Sequence, residues 1–111
     1  METQLGKIEH VTFGHGGYQE ACIGLNVTLS GAAWSVCSSK TAWDSELIEH
    51  TNDCKWTESD RNKQYAEIVR YVASLLSDAK VSSVDQLKGK PVEAIFEGGA
   101  LKSWRILKEV L

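Results

Sequence analysis

The chain has 111 residues, of which 12 are basic and 15 acidic, and its formal net charge is −3. Hydrophobic residues make up 42% of the chain, so its composition predicts one folded domain and excludes a disordered chain. The acidic balance argues against a non-specific nucleic-acid binder, and the lack of a run of ~18 apolar residues argues against a membrane span.

The first third of the chain has the periodicity of strands. Lys7–Phe13 is a short run rich in β-forming residues, and residues 21–30 alternate apolar with mostly small polar side chains. Alternation with a period of two is typical of a half-buried strand. After a turn, Ala32–Ser38 is predicted to return as a partner strand, with Trp34 and Val36 on one face.

Between Ser39 and Lys55 this periodicity is lost. Trp43 and a hydrophobic pair, Leu47 and Ile48, stand among acidic and polar residues without helix caps. A loop of this length is unusual in a small domain and is often functional. We therefore expect a binding surface in this loop.

One long helix is predicted over residues 58–79. Thr57 is a suitable N-cap, and Glu58 and Asp60 put negative charge in the first turn, where the helix dipole favours it. From Tyr65 onwards, apolar residues recur at three- and four-residue spacing and form one stripe. A helix of this length extends ~33 Å, which is enough to cross a face of the domain.

The last third is predicted to end in a β-hairpin. Val81–Lys90 has the pattern of a short helical turn, Val92–Glu97 that of a strand, and Gly98-Gly99 that of a tight turn. Leu101–Leu107 is then the returning strand. Residues 104–111 fit helical periodicity as well, and we favour the strand through Leu107.

Together these elements predict an α+β fold. It consists of an antiparallel sheet of about five strands, in the order β-β-β-α-β-β, packed against one long helix as a single domain over residues 1–111. Open sheet edges have to be paired or covered, so the sequence leaves a homodimer open.

Histidine and cysteine side chains are the candidate metal ligands, namely His10, His15, His50, Cys22, Cys37 and Cys54. Zinc sites bring four ligands together and usually take them in close pairs. The nearest pair here is His50 and Cys54, with Cys37 a distant third. Cys22 and Cys37 fall in strand patterns and are more simply explained as small packing residues. We expect no metal and no other cofactor.

Motifs of the common enzyme classes are missing from the sequence, including a nucleophile elbow, a Walker loop and an H-E-x-x-H pair. A cysteine, His50 and a nearby aspartate are the residue types of a nucleophilic catalytic site. Their spacing in the sequence does not show that they are close in space. The acids of the loop are better explained as a solvated face than as paired catalytic acids. The sequence therefore predicts a protein that is not an enzyme.

Two short motifs suit a ligand or a partner. Gly14–Gly17, followed by Tyr18 and Gln19, is either a backbone nest for an anion or, more simply, a flexible turn. Trp56 precedes the helix and can pack as a hydrophobic staple, whereas Arg61 is not needed for capping. We expect Arg61 to be exposed, and to pair with the acidic loop or bind an anionic ligand.

A resemblance to known proteins rests on several longer segments, which together cover most of the chain outside residues 38–54. They are Phe13-Gly14 with Gly16–Ala21, Gly24–Trp34, Trp56-Thr57-Glu58 with Asp60-Arg61, and Leu87–Leu111. In these segments the chain resembles a family of small phage- and prophage-encoded proteins of uncharacterised function. The resemblance implies an accessory protein that binds host or phage macromolecules, commonly to inhibit a host defence system, and it brings no activity with it.

The expected location is the cytoplasm of the host cell. Residues 1–7 do not have the charged and apolar regions of a secretory signal. Three cysteines without such a signal favour a reducing compartment over a disulfide scaffold.

Two functions follow as expectations. The first is inhibition of a host defence system by contacts with a host or phage protein. The residues predicted to form that surface are Trp43, Asp44, Glu46, His50, Trp56 and Arg61. The alternative is sequestration of a nucleotide-like small molecule by stacked aromatic rings, an arginine and the glycine-rich loop. The residues predicted for that role are His15, Tyr18 and Gln19, with either Arg61 or Arg105 as the arginine.

Overall fold

The computed structural model describes residues 1–16, 20–48 and 55–111. Its strands and long helix are β1 (Glu2–Gly16), β2 (Cys22–Ser30), β3 (Ser35–Trp43), α1 (Glu58–Ala79), β4 (Pro91–Glu97) and β5 (Ala100–Ile106). Short 3₁₀ helices follow α1 at Val84–Leu87 and β5 at Lys108–Val110. The five strands form one antiparallel sheet in the order β3-β2-β1-β4-β5, with α1 packed against it. The predicted α+β fold is confirmed.

The long helix has the predicted bounds and the predicted cap. The Asp60 N–H donates to Thr57 Oγ1 over 3.1 Å, and the Thr57 N–H donates to the Asp60 carboxylate over 2.8 Å. Hydrogen bonding of the Asp60 carboxylate by the Thr57 N–H, and then by the Thr57 hydroxyl, holds the pKa of Asp60 below its ordinary value. Among the described residues, no helix combines the length and the apolar composition needed to cross a bilayer.

The hydrophobic core lies between α1 and the sheet face that the helix covers. The alternation in β2 points Leu25, Val27 and Leu29 to this face, as predicted. The buried core residues are Ile8, Leu25, Val27, Leu29, Leu75, Ala79, Leu87, Val92 and Ile106. Removal of this apolar surface from water is the main force that holds the helix on the sheet.

The third strand starts later and ends later than predicted. β3 pairs with β2 from its first residue to its last, so the predicted bounds Ala32–Ser38 are wrong, and Trp34 precedes the strand. Three positions of β3 lie on the same face of the sheet as the core. The first of them is apolar, Val36, and the next two are polar, Ser38 and Lys40. The apolar alternation therefore stops halfway along the strand, although the backbone pairing continues.

The first and last strands also differ from their predicted bounds. β1 extends beyond Lys7–Phe13 on both sides because its first half pairs with β4 and its second half with β2. β5 ends one residue before Leu107. Arg105 then forms ion pairs with Glu93 over 3.1 Å and with Glu109 over 3.0 Å, which fastens the last turn to the sheet. The hydrogen bond from Arg105 lowers the pKa of Glu109 to about 2.

The two outer strands of the sheet lie close to each other. β3 and β5 are at opposite ends of the strand order, yet Trp104 Nε1 on β5 donates to Ser38 Oγ on β3 over 3.1 Å. The sheet is therefore curled so far that its outer strands face each other across a cleft.

Candidate functional site

Most of the predicted site residues that the structure describes meet near the N-terminal end of α1. They come from the end of β1, from the end of β3 and the segment that follows it, and from the first turns of the helix with the residues just before it. We name this group the loop–helix cluster, and it consists of His15, Trp43, Asp44, Glu46, Leu47, Ile48, Trp56, Glu58, Arg61 and Tyr65. Tyr18, Gln19 and His50 were also predicted as site residues, and they lie outside the described residues.

Asp44 connects the loop to the end of β1 and to the residue that precedes β2. Its N–H donates to the Ala21 carbonyl over 2.9 Å, and its Oδ2 lies 2.6 Å from His15 Nε2. Its Oδ1 accepts the N–H of Glu46 over 2.7 Å, which closes a turn at the start of the loop. The hydrogen bond with His15, and then the one from Glu46, hold the pKa of Asp44 below its ordinary value.

We expect His15→Ala to raise the pKa of Asp44 towards its ordinary value of 3.8, because the variant removes the hydrogen bond that lowers it most. The pKa of Asp44 is lower in the folded than in the unfolded chain. The contribution of this carboxylate to stability is therefore present above pH about 4 and is lost as the pH falls through the folded-state pKa. An NMR titration of the side-chain carboxyl carbons measures the pKa, and urea unfolding at several pH values measures the loss of stability.

Asp60 is the internal control in that titration, because its pKa is lowered by Thr57 and His15 does not contribute. Its titration is expected to be the same in both proteins. An Asp44 pKa that does not change in His15→Ala would contradict this account of the pair.

Tyr65 fastens the loop to the second turn of the helix. Its hydroxyl donates to the Trp43 carbonyl over 2.8 Å and accepts the Ser45 N–H over 3.2 Å. Helical periodicity places Tyr65 in the apolar stripe of the helix and does not reveal this role. The available signal was its hydroxyl, because a partly buried tyrosine usually finds a hydrogen-bond partner.

Arg61 is buried, and the expectation that it is exposed is wrong. Only 2% of it is exposed, because the loop crosses the first turn of the helix and Trp56 covers the guanidinium from another side. Its Nη2 donates to the Ile48 carbonyl over 2.6 Å and lies 3.4 Å from Glu58 Oε1. The Trp56 ring centre is 4.4 Å from Arg61 Cζ, which is the geometry of a cation–π contact. Within the described part of the loop, Arg61 therefore pairs with the backbone at Ile48 and not with the side chains of Asp44 or Glu46.

The outward side of the loop–helix cluster combines an apolar side chain with negative charge. Leu47 is 56% exposed, the side chain of Glu58 is 54% exposed, and Glu46 is exposed beside Leu47. Trp43 and Trp56 are half-buried. The arrangement is suited to recognising a partner through an apolar contact surrounded by charges.

An apolar groove lies beside the cluster, between α1 and the end of β1. Phe13, two residues before His15, is 51% exposed, and Val69, one turn after Tyr65, is 67% exposed. These two residues line the groove together with Val72, Ala73 and Leu76, and it encloses about 230 Å³. Exposed apolar surface of this kind is typical of an interaction site.

The described residues do not gather a metal site. Within residues 1–16, 20–48 and 55–111, no three histidine, cysteine or acidic side chains are close enough to hold a metal ion. Cys37 is exposed, so it is not the packing residue that its strand pattern indicated, whereas Cys22 is half-buried. His50 and Cys54 lie outside the described residues.

The two arginines that were alternative candidates for nucleotide binding are both engaged in contacts within the fold. Arg61 is held under Trp56, and Arg105 pairs with Glu93 and Glu109, which raise its pKa. The two side chains belong to separate parts of the fold, at the start of α1 and on β5. Arg61 belongs to the loop–helix cluster together with His15, and Arg105 does not.

Comparison with known proteins identifies no relative of the chain. The chain matches no protein-family model, and searches of curated proteins and of solved structures find no similar protein.

Proposed function

We propose that the protein acts by binding a host or phage protein through the loop–helix cluster, and that this binding inhibits a host defence system. The observation that carries the proposal is the attachment of the loop to α1 by two buried or half-buried side chains, Arg61 and Tyr65. This attachment holds Leu47 and its acidic neighbours in fixed positions. A surface that is ordered before binding loses less conformational entropy when a partner docks.

The chemistry of the cluster supports a protein as the partner. Leu47 supplies an apolar centre, and Glu46 and Glu58 supply negative charge around it. Interfaces between proteins combine an apolar core with a polar rim, and a few residues near the centre carry most of the binding free energy. The partner proposed here offers an apolar recess surrounded by basic side chains. The phage setting and the defence target come from the family resemblance, and the contacts support binding as the mode of action.

The proposal is tested by affinity purification from phage-infected host cells, comparing the wild-type protein with Leu47→Arg. The substitution places a positive charge at the apolar centre, so we expect the wild-type protein to retain a partner and the variant to lose most of it. Mass spectrometry of the retained material measures the difference.

Leu5→Arg is the matched control. Leu5 is 66% exposed on the paired first half of β1, at the opposite end of that strand from His15. The Leu5→Arg variant is expected to retain the partner at the wild-type level. Circular dichroism and thermal melting show whether both variants keep the fold. Equal retention by Leu47→Arg and the wild-type protein would contradict the proposed surface.

A further inference from the structure

A second concave site lies in the cleft between β3 and β5, the two outer strands of the curled sheet. It encloses about 420 Å³, which is within the range of small-molecule sites. Its lining residues are Cys37, Ser38, Ser39, Lys40, Tyr71, Leu101, Lys102, Ser103 and Trp104. None of them belongs to the loop–helix cluster, so the cleft can be assessed independently of the proposed function.

The lining of the cleft is positively charged in a protein whose net charge is −3. Among the described residues that line it there are two lysines, Lys40 and Lys102, and no carboxylate. The Ser38 hydroxyl also lines the cleft, where it accepts the Trp104 indole N–H, whereas the Ser39 hydroxyl donates to Asn26 on the other face of β3. A lining with this composition favours an anion.

Each lysine of the cleft has a carboxylate partner outside the lining. Lys40 Nζ lies 3.6 Å from Glu67 on α1, and Lys102 Nζ lies 3.3 Å from Glu97 at the end of β4. All four side chains are at least 43% exposed, and exposed ion pairs contribute little free energy. A ligand with a more concentrated negative charge is therefore able to compete for both lysines.

The remaining wall of the cleft is aromatic and apolar. Trp104, Tyr71 and Leu101 are all half-buried and pack against the hydrophobic core, which leaves part of each side chain facing the cleft. The phenol of Tyr71 is able to donate a hydrogen bond at neutral pH, because its ordinary pKa is 10 and burial raises the pKa further. An aromatic ring beside lysines is suited to a planar base that carries a phosphate.

We infer that the cleft between β3 and β5 binds a mononucleotide, with the phosphate between Lys40 and Lys102 and the base against Trp104. The hydrogen bond from Trp104 Nε1 to Ser38 Oγ joins the two strands at this position. A bound nucleotide changes the surroundings of that indole N–H, which gives the site its own spectroscopic signal.

The test is an NMR titration of the full ¹⁵N-labelled chain with AMP and with GMP, followed at the Trp104 indole N–H. Trp104→Phe assigns the signal. We expect saturable binding of at least one nucleotide below 1 mM, and at least tenfold weaker binding of inorganic phosphate and of adenosine, because each offers one half of the contacts. Lys40→Gln and Lys102→Gln are each expected to weaken nucleotide binding about tenfold.

Lys88→Gln is the control, since Lys88 is exposed in the turn before β4 and does not line the cleft. It is expected to bind the nucleotide with wild-type affinity. The inference is overturned if neither nucleotide binds below 1 mM, if inorganic phosphate binds as tightly as the nucleotide, or if the cleft lysines can be replaced without loss of affinity. None of these results bears on the loop–helix cluster, whose test is the loss of a protein partner in Leu47→Arg.

Discussion

Arg61→Ala is expected to lower the free energy of unfolding by about 3 kcal/mol. The variant removes the donor to the Ile48 carbonyl, the stacking partner of Trp56 and the volume of a side chain that is 2% exposed. A hydrogen bond from a charged group and a buried cation–π contact each contribute about 1–3 kcal/mol. The contact with Glu58 adds little, because that carboxylate is 54% exposed.

Urea unfolding of Arg61→Ala, Arg61→Lys and Arg70→Ala measures this contribution. Lysine keeps the charge and loses the planar fork, so Arg61→Lys is expected to fall between the wild-type protein and Arg61→Ala. Arg70 is exposed on the same helix, and its replacement is expected to change the free energy of unfolding by less than about 0.5 kcal/mol. If Arg61→Ala is as stable as Arg70→Ala, Arg61 does not fasten the loop to the helix.

Gly24→Ala is expected to destabilise the sheet by about 3 kcal/mol or to prevent folding. A Cβ at this position of β2 would overlap the Lys40 carbonyl oxygen and come within 2.7 Å of Thr41 Cα. Both atoms belong to the backbone of β3, so neither can turn aside as a flexible side chain does. The strands have to separate instead, and this would disturb the pairing that leads to Trp43 and Asp44.

Gly14→Ala is the matched control for that substitution, because Gly14 pairs directly with Gly24 across β1 and β2. A Cβ added at Gly14 meets nothing within 4 Å among the described residues, so its effect is expected to stay below about 0.5 kcal/mol. Thermal unfolding of both variants gives the comparison. Similar melting temperatures for the two variants would show that the close approach of β3 to Gly24 does not limit stability.

The sequence predicted correctly those elements whose bounds depend on a local pattern of residues. The cap at Thr57 and the apolar stripe after it gave both ends of α1, and strict alternation gave β2. β3 was predicted only in part, because the inward positions at Ser38 and Lys40 face the cleft and carry polar side chains. Backbone pairing continues through such positions, and a hydrophobic pattern cannot show it.

The candidate site was predicted as a group of residues but not as a set of contacts. The aromatic and acidic residues on either side of the loop indicated a surface that includes Trp43, Asp44 and Trp56, and the structure places them together. The burial of Arg61 depends on where the loop crosses the helix, which no local pattern specifies. The role of Tyr65 was missed because a tyrosine in an apolar stripe satisfies helical periodicity whether or not its hydroxyl bonds to the loop.

Binding of a partner at a preformed loop–helix cluster is the central proposal. The most direct measurement is an NMR titration of the ¹⁵N-labelled protein with the partner recovered by affinity purification. The account predicts that the largest shifts fall on the amides of residues 44–48 and 55–65, and that Leu47→Arg abolishes them while Leu5→Arg does not. Shifts confined to the strands that border the β3–β5 cleft, or an undiminished response in Leu47→Arg, would contradict it.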